Sequence, residues 1–108
     1  MAEGTRRDTG SMSLIYLIFD ASDDGEGTGS WEAVASVRRD ELPAVRAEVD
    51  AVLQRAERRA PGPRGPLDEG GAWDADTQVH EDGDWTEVRL TLTGPWDWGE
   101  ALLGELDA

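Results

Sequence analysis

The stretch Asp20-Ala21-Ser22-Asp23-Asp24-Gly25-Glu26 concentrates the side chains best able to hold a cation. Counted from Asp20, side-chain oxygens stand at positions 1, 3 and 5 and Gly at 6, the spacing of an EF-hand calcium loop. The pattern then breaks. Position 8 is Gly27 where an apolar residue belongs, and position 12 is Trp31 where a bidentate Glu closes the coordination sphere. Both flanks read as strands rather than helices, so an EF-hand is excluded. What survives is an alternative reading, a small-ligand or calcium-binding domain centred on loop 20–30 with Asp20, Asp23, Asp24 and Glu26 as ligands. The plainer reading is a solvated connection. Its Gly25, Gly27 and Gly29 add conformational entropy that any ligand would have to suppress.

Those glycines would also let a phosphate approach the backbone, but a phosphate site wants a helix N-terminus and a cation. Here a strand follows, and Asp23, Asp24, Glu26 and Glu32 surround the loop. His80 is the sole imidazole and there is no Cys, which leaves no second soft ligand for a transition metal and no thiolate nucleophile. The serines Ser11, Ser13, Ser22, Ser30 and Ser36 lack a nucleophile-elbow context. Carboxylate pairs recur at Asp74/Asp76, Asp82/Asp84 and Asp97/Glu100, yet acid–base hydrolysis needs a cleft with a substrate wall. With 108 residues and one sheet face given to the core, little chain is left to build one. The sequence predicts neither an enzyme nor a cofactor.

Charge narrows the partners. Twenty-four acids stand against ten arginines, a formal net charge of −14. Residues 38–64 carry seven of the arginines, whereas residues 65–108 carry twelve acids and Arg89 alone. Such a surface repels nucleic acid and anionic lipid and attracts cations. The longest apolar run, Leu14 to Phe19, is six residues, against the roughly 20 of a membrane span. No signal-peptide pattern precedes it, so a cytoplasmic protein is expected.

Five tryptophans are the least ordinary part of the composition. Trp31, Trp73 and Trp98 fall at apolar positions and are predicted core. Trp85 falls on the polar parity of its strand, and Trp96 and Trp98 are not expected to face inward together on one short helix. An exposed Trp among acids suits an arginine-rich partner through cation–π contact and charge pairing. The plainer alternative packs Trp85 on His80 and Arg89, with Trp96 at the core edge.

The elements that must position these groups follow from periodicity. Residues 1–12 read as a disordered N-terminal segment, and 13–108 as a single α+β domain. Leu14–Phe19 is apolar on both parities and reads as a central strand. Trp31, Ala33, Ala35 and Val37 alternate with polar residues, a half-buried strand. Asp40 is the expected N-cap of a helix with Pro43 in its first turn, and Leu42, Val45, Val49, Val52, Leu53 and Ala56 form its apolar stripe. A Pro/Gly-rich linker spans 60–72.

Trp73, Ala75, Thr77 and Val79 then alternate with Asp74, Asp76, Gln78 and His80 before an Asp82-Gly83 type I′ turn signal. That turn pairs Val79 with Thr86, Thr77 with Val88, Ala75 with Leu90 and Trp73 with Leu92. Opposite them His80 would meet Trp85, Gln78 Glu87 and Asp76 Arg89. Gly94-Pro95 opens a final helix with Trp98, Ala101, Leu102 and Leu106 on its apolar side.

The order is β-β-α-β-β-α, and the simplest architecture is a four-stranded antiparallel sheet with both helices packed on one face. The leading expectation is a small acidic non-enzymatic module. It would bind a cationic protein partner through its open sheet face, on Asp74, Asp76, Gln78, His80, Trp85, Glu87 and Arg89. The chain itself is expected to be a monomer or a weak homodimer, the arginine-bearing helix of one copy meeting the acidic face of another.

Overall fold

The computed structural model describes residues 14–106, so the segment 1–12 lies outside the described residues. The elements are β1 (Phe19–Asp23), β2 (Thr28–Arg38), α1 (Leu42–Arg58), β3 (Asp74–Asp82), β4 (Trp85–Pro95) and α2 (Trp96–Leu106). The strands form one antiparallel sheet in the order β1-β2-β4-β3. Both helices bury residues in one core with the inward parity of the sheet, Ala33, Ala35 and Val37 of β2 and Val88, Leu90 and Leu92 of β4. This is the expected β-β-α-β-β-α fold.

Alternation explains β2 and β4. Along β2, Trp31, Ala33, Ala35 and Val37 are buried while Val34, Ser36 and Arg38 are exposed. In α1 the three- and four-residue spacing buries Val45, Val49, Val52 and Ala56. Arg55 and Arg58 occupy its last turn, where cations complement the carbonyl end of the helix dipole. Asp40 does not cap this helix. It lies inside a 3₁₀ turn, Arg39–Glu41, and Glu41 stands at the N-cap position without a side-chain cap. The helices are tied together by Glu105, whose carboxylate accepts from Arg55 Nη1 at 2.6 Å and from Arg59 Nη2 and Nε at 2.6 and 2.9 Å.

The first strand differs from expectation. Leu14–Ile18 is irregular, and β1 is the largely exposed Phe19–Asp23 on the sheet edge. The reason is Glu48, buried within the apolar stripe of α1. Its carboxylate accepts the backbone N–H of Ile15 at 2.8 Å, Tyr16 at 3.0 Å and Leu17 at 2.9 Å. Three successive amides turned toward one side-chain anion cannot also alternate along a ladder. Leu17 is thereby pressed into the core, 2 % exposed, while Ile15 and Ile18 stay outside.

The hairpin also differs. Its loop is Gly83–Asp84, one residue later than expected, so Asp82 pairs with Trp85, His80 with Glu87 and Gln78 with Arg89. A type I′ turn on Asp82-Gly83 would need positive φ at Asp82. Placing Gly83 first, at φ +63°, with Asp84 in ordinary backbone, gives the type II′ arrangement instead. Each residue moves by two along its partner, so the faces are preserved: Val79 meets Val88 and Thr77 meets Leu90.

Trp96 and Trp98 both reach the core. Trp31 stacks on Trp96 with centroids 5.5 Å apart and meets Trp98 edge-on at 6.0 Å, and Trp98 touches Trp73 at 5.5 Å. Two glycines make room: a Cβ on Gly99 would stand 2.1 Å from the Trp31 ring, and one on Gly29 would stand 2.6 Å from both Trp31 and Trp96. Gly99 thus takes the buried place expected of Ala101, which is exposed. Burying a Trp removes about 200 Å² from water, at most roughly 5 kcal/mol by area.

Candidate functional site

The sheet face turned away from the helices is built in cross-strand rows, each fixed by register. Asp20, Glu32, Thr91 and Asp76 share one row; Val34, Arg89 and Gln78 the next; then Ser36, Glu87 and His80; then Arg38, Trp85 and Asp82. Thr93 and Asp74 stand beyond Thr91 at the other end. All seven predicted docking residues therefore lie on one face, with the partners of Trp85, Glu87 and Arg89 shifted by the hairpin register. Six acids face two arginines across it.

The cations on this face are already engaged. Arg89 Nη1 donates to Glu32 Oε2 at 2.8 Å, and Arg89 Nη2 lies 4.0 Å from Glu87 Oε2. The bond to Glu32 and that carboxylate's charge raise the Arg89 pKa above its ordinary value, so it is a permanent cation. Gln78 donates to Asp76 at 3.1 Å. Trp85 is 50 % exposed, and the Arg38 guanidinium sits 5.2 Å from its ring centroid. Trp85 thus has Arg38 over its ring and Asp82 as its register partner, where the expected register set His80 opposite it.

Sequence reasoning missed the half of the face that β2 supplies. Glu32, Val34, Ser36 and Arg38 were legible as the polar parity of a strand whose other parity is Trp31, Ala33, Ala35 and Val37. Val34 is 39 % exposed and adds apolar area two rows from Trp85. The linker does not cover the face: Arg64 pairs with Trp73 at the outer edge of β3, and Asp76, Gln78, His80 and Trp85 remain exposed among the described residues.

The acidic connection is mostly strand. Only Asp24–Gly27 forms the turn, with Gly25 at φ +79° and Gly27 at φ +93°. Asp23 Oδ1 accepts the Gly25 N–H at 2.8 Å, and Asp24 Oδ1 accepts those of Glu26 and Thr28 at 2.7 and 3.1 Å. These carboxylates hold their own turn closed. Asp20 points with the open-face row, away from the parity of Asp23. Beside the turn lies a hollow of about 280 Å³ bounded by Asp23, Gly25, Gly27, Pro95, Trp96 and Asp97, which gathers Asp23 and Asp97 rather than the four expected ligands. Among the described residues no three His, Asp or Glu side chains converge as a metal site would require. No helix among them is long and apolar enough to cross a membrane. Set against protein-family models, curated proteins and solved structures, the chain matches none.

Proposed function

We propose that this protein is a non-enzymatic interaction module whose open sheet face docks a cationic protein surface. The observation that carries the reading is Trp85, half exposed on a face whose other side chains, Val34 apart, are charged or polar. Arg38 over its ring is the contact chemistry that an incoming arginine would use. A net charge of −14 steers the encounter, and Trp85 with Val34 supplies apolar area for contact. The strands of 5, 11, 9 and 11 residues, at about 3.3 Å per residue and about 4.8 Å between strands, present roughly 570 Å² of sheet face. That is the size of a small, transient interface of about 600 Å² per partner.

The test is an affinity capture from the native lysate with the wild type and Trp85→Ala, at low and high salt. A basic partner weakened by both changes supports the reading. A partner retained equally by the variant and in high salt removes tryptophan and charge from the explanation together.

A further inference from the structure

The outer edge of β3 carries unused backbone. The two-residue loop makes Asp82 and Trp85 the closing hydrogen-bonded pair, so alternation turns the N–H and C=O of Ala75, Thr77, Val79 and Glu81 away from β4. The linker uses the start of this edge, at one bridge just before β3. Arg64 forms a parallel bridge with Trp73, Gly65 donates to the Trp73 carbonyl at 2.9 Å, and the Arg64 guanidinium donates to the Ala75 carbonyl at 3.2 Å. Past Ala75 the linker has left the edge, and among the described residues nothing bonds the outward groups of Thr77, Val79 and Glu81.

Two features define what fits there. Residues 74–84 hold five acids and no Lys or Arg, so pairing with the same strand of a second copy would bring acid against acid. On the core side, a groove of about 180 Å³ runs between α1 and β3, its apolar lining made by Val49, Leu53, Val79 and Val88, with Thr77, Arg46 and Asp50 completing the wall. Side chains of an added strand alternate between this groove and the open face beside Asp76, Gln78, His80 and Asp82.

We propose that the β3 edge takes an extended peptide segment of alternating apolar and basic residues as a fifth strand, its apolar side chains in the α1–β3 groove and its basic ones beside the acids. The inference rests on the cationic-partner reading and deepens it by assigning the partner's backbone conformation.

The experiment titrates ¹⁵N-labelled protein with an eight-residue peptide alternating lysine and valine. Two further forms are used, one N-methylated at every valine and one at every lysine. Only one peptide edge can face β3. The expected result is slowed exchange at the Thr77, Val79 and Glu81 amides, with one methylated form losing about tenfold or more in affinity and the other unchanged. Equal binding by all three, with shifts at Glu87 and Arg89, overturns the fifth strand and leaves open-face docking intact. Binding by none overturns both. Protection of the same amides that grows with protein concentration, without peptide, makes the occupant a second copy and overturns the inference.

Discussion

The Glu48 carboxylate holds the backbone N–H of Leu17 at 2.9 Å across 31 residues of sequence, and the amides of Ile15 and Tyr16 share the same anion. This clamp, rather than strand pairing, docks the apolar N-terminal segment. Glu48→Ala leaves three amides without their acceptor and is expected to destabilise by roughly 3 kcal/mol. Glu48→Gln keeps one acceptor oxygen and should cost less. Urea denaturation ranks the two, and loss of Leu17 amide protection locates the effect.

Two glycines of α2 should respond oppositely to the same change. At Gly99 an added methyl meets the Trp31 ring at 2.1 Å, and this overpacking outweighs any gain in helix propensity; Gly99→Ala should cost about 1–3 kcal/mol. At Gly104 nothing lies within 4 Å, and Gly104→Ala should stabilise by about 0.5–1 kcal/mol. Thermal unfolding of both variants reads the sign directly.

Gly83 stands at φ +63° in the hairpin loop. Gly83→Ala should cost about 1–2 kcal/mol, because the methyl strains a left-handed position. Nothing lies within 4 Å of that methyl, so backbone strain alone accounts for the loss. Denaturant midpoints measure it.

Acid should loosen the helix pair. Hydrogen bonds from Arg59 and then Arg55 hold the Glu105 carboxyl below its ordinary pKa of 4.5. A lowered folded-state value means that the contribution is complete above the unfolded pKa and fades as pH falls through the folded one. Glu105→Gln should therefore cost about 1 kcal/mol at pH 7 and progressively less below pH 4.5. Paired denaturation curves at neutral and acid pH check the convergence.

Legibility in the sequence followed the range of the interactions. The faces of β2, β3 and β4 and the stripe of α1 were readable because alternation and helical period are local. Leu14–Phe19 misled because its fate is set by Glu48, a contact invisible to any local pattern. One signal was present: Glu48 lies three residues after Val45 and four before Val52, a charge on the apolar stripe. The hairpin register turned on which residue takes positive φ, and Gly83 serves either a type I′ or a II′ loop. Trp96 and Trp98 both reached the core because Gly29 and Gly99 open space around Trp31, a packing fact without sequence period. Of the docking face, the β3 and β4 residues were legible by parity. The contribution of β2 required knowing that β2 and β4 are neighbours.

The proposed recognition of a cationic partner on the open face turns on Trp85. Its most direct measurement is a titration of ¹⁵N-labelled protein with octa-arginine, following the indole and backbone N–H resonances. The Trp85 indole and the amides of Gln78, His80, Glu87 and Arg89 should shift together while the buried indoles of Trp31 and Trp73 stay fixed. Trp85→Ala should weaken binding about fivefold, the worth of one exposed cation–π contact. Shifts scattered over every acidic patch, with the affinity of Trp85→Ala unchanged, would contradict it.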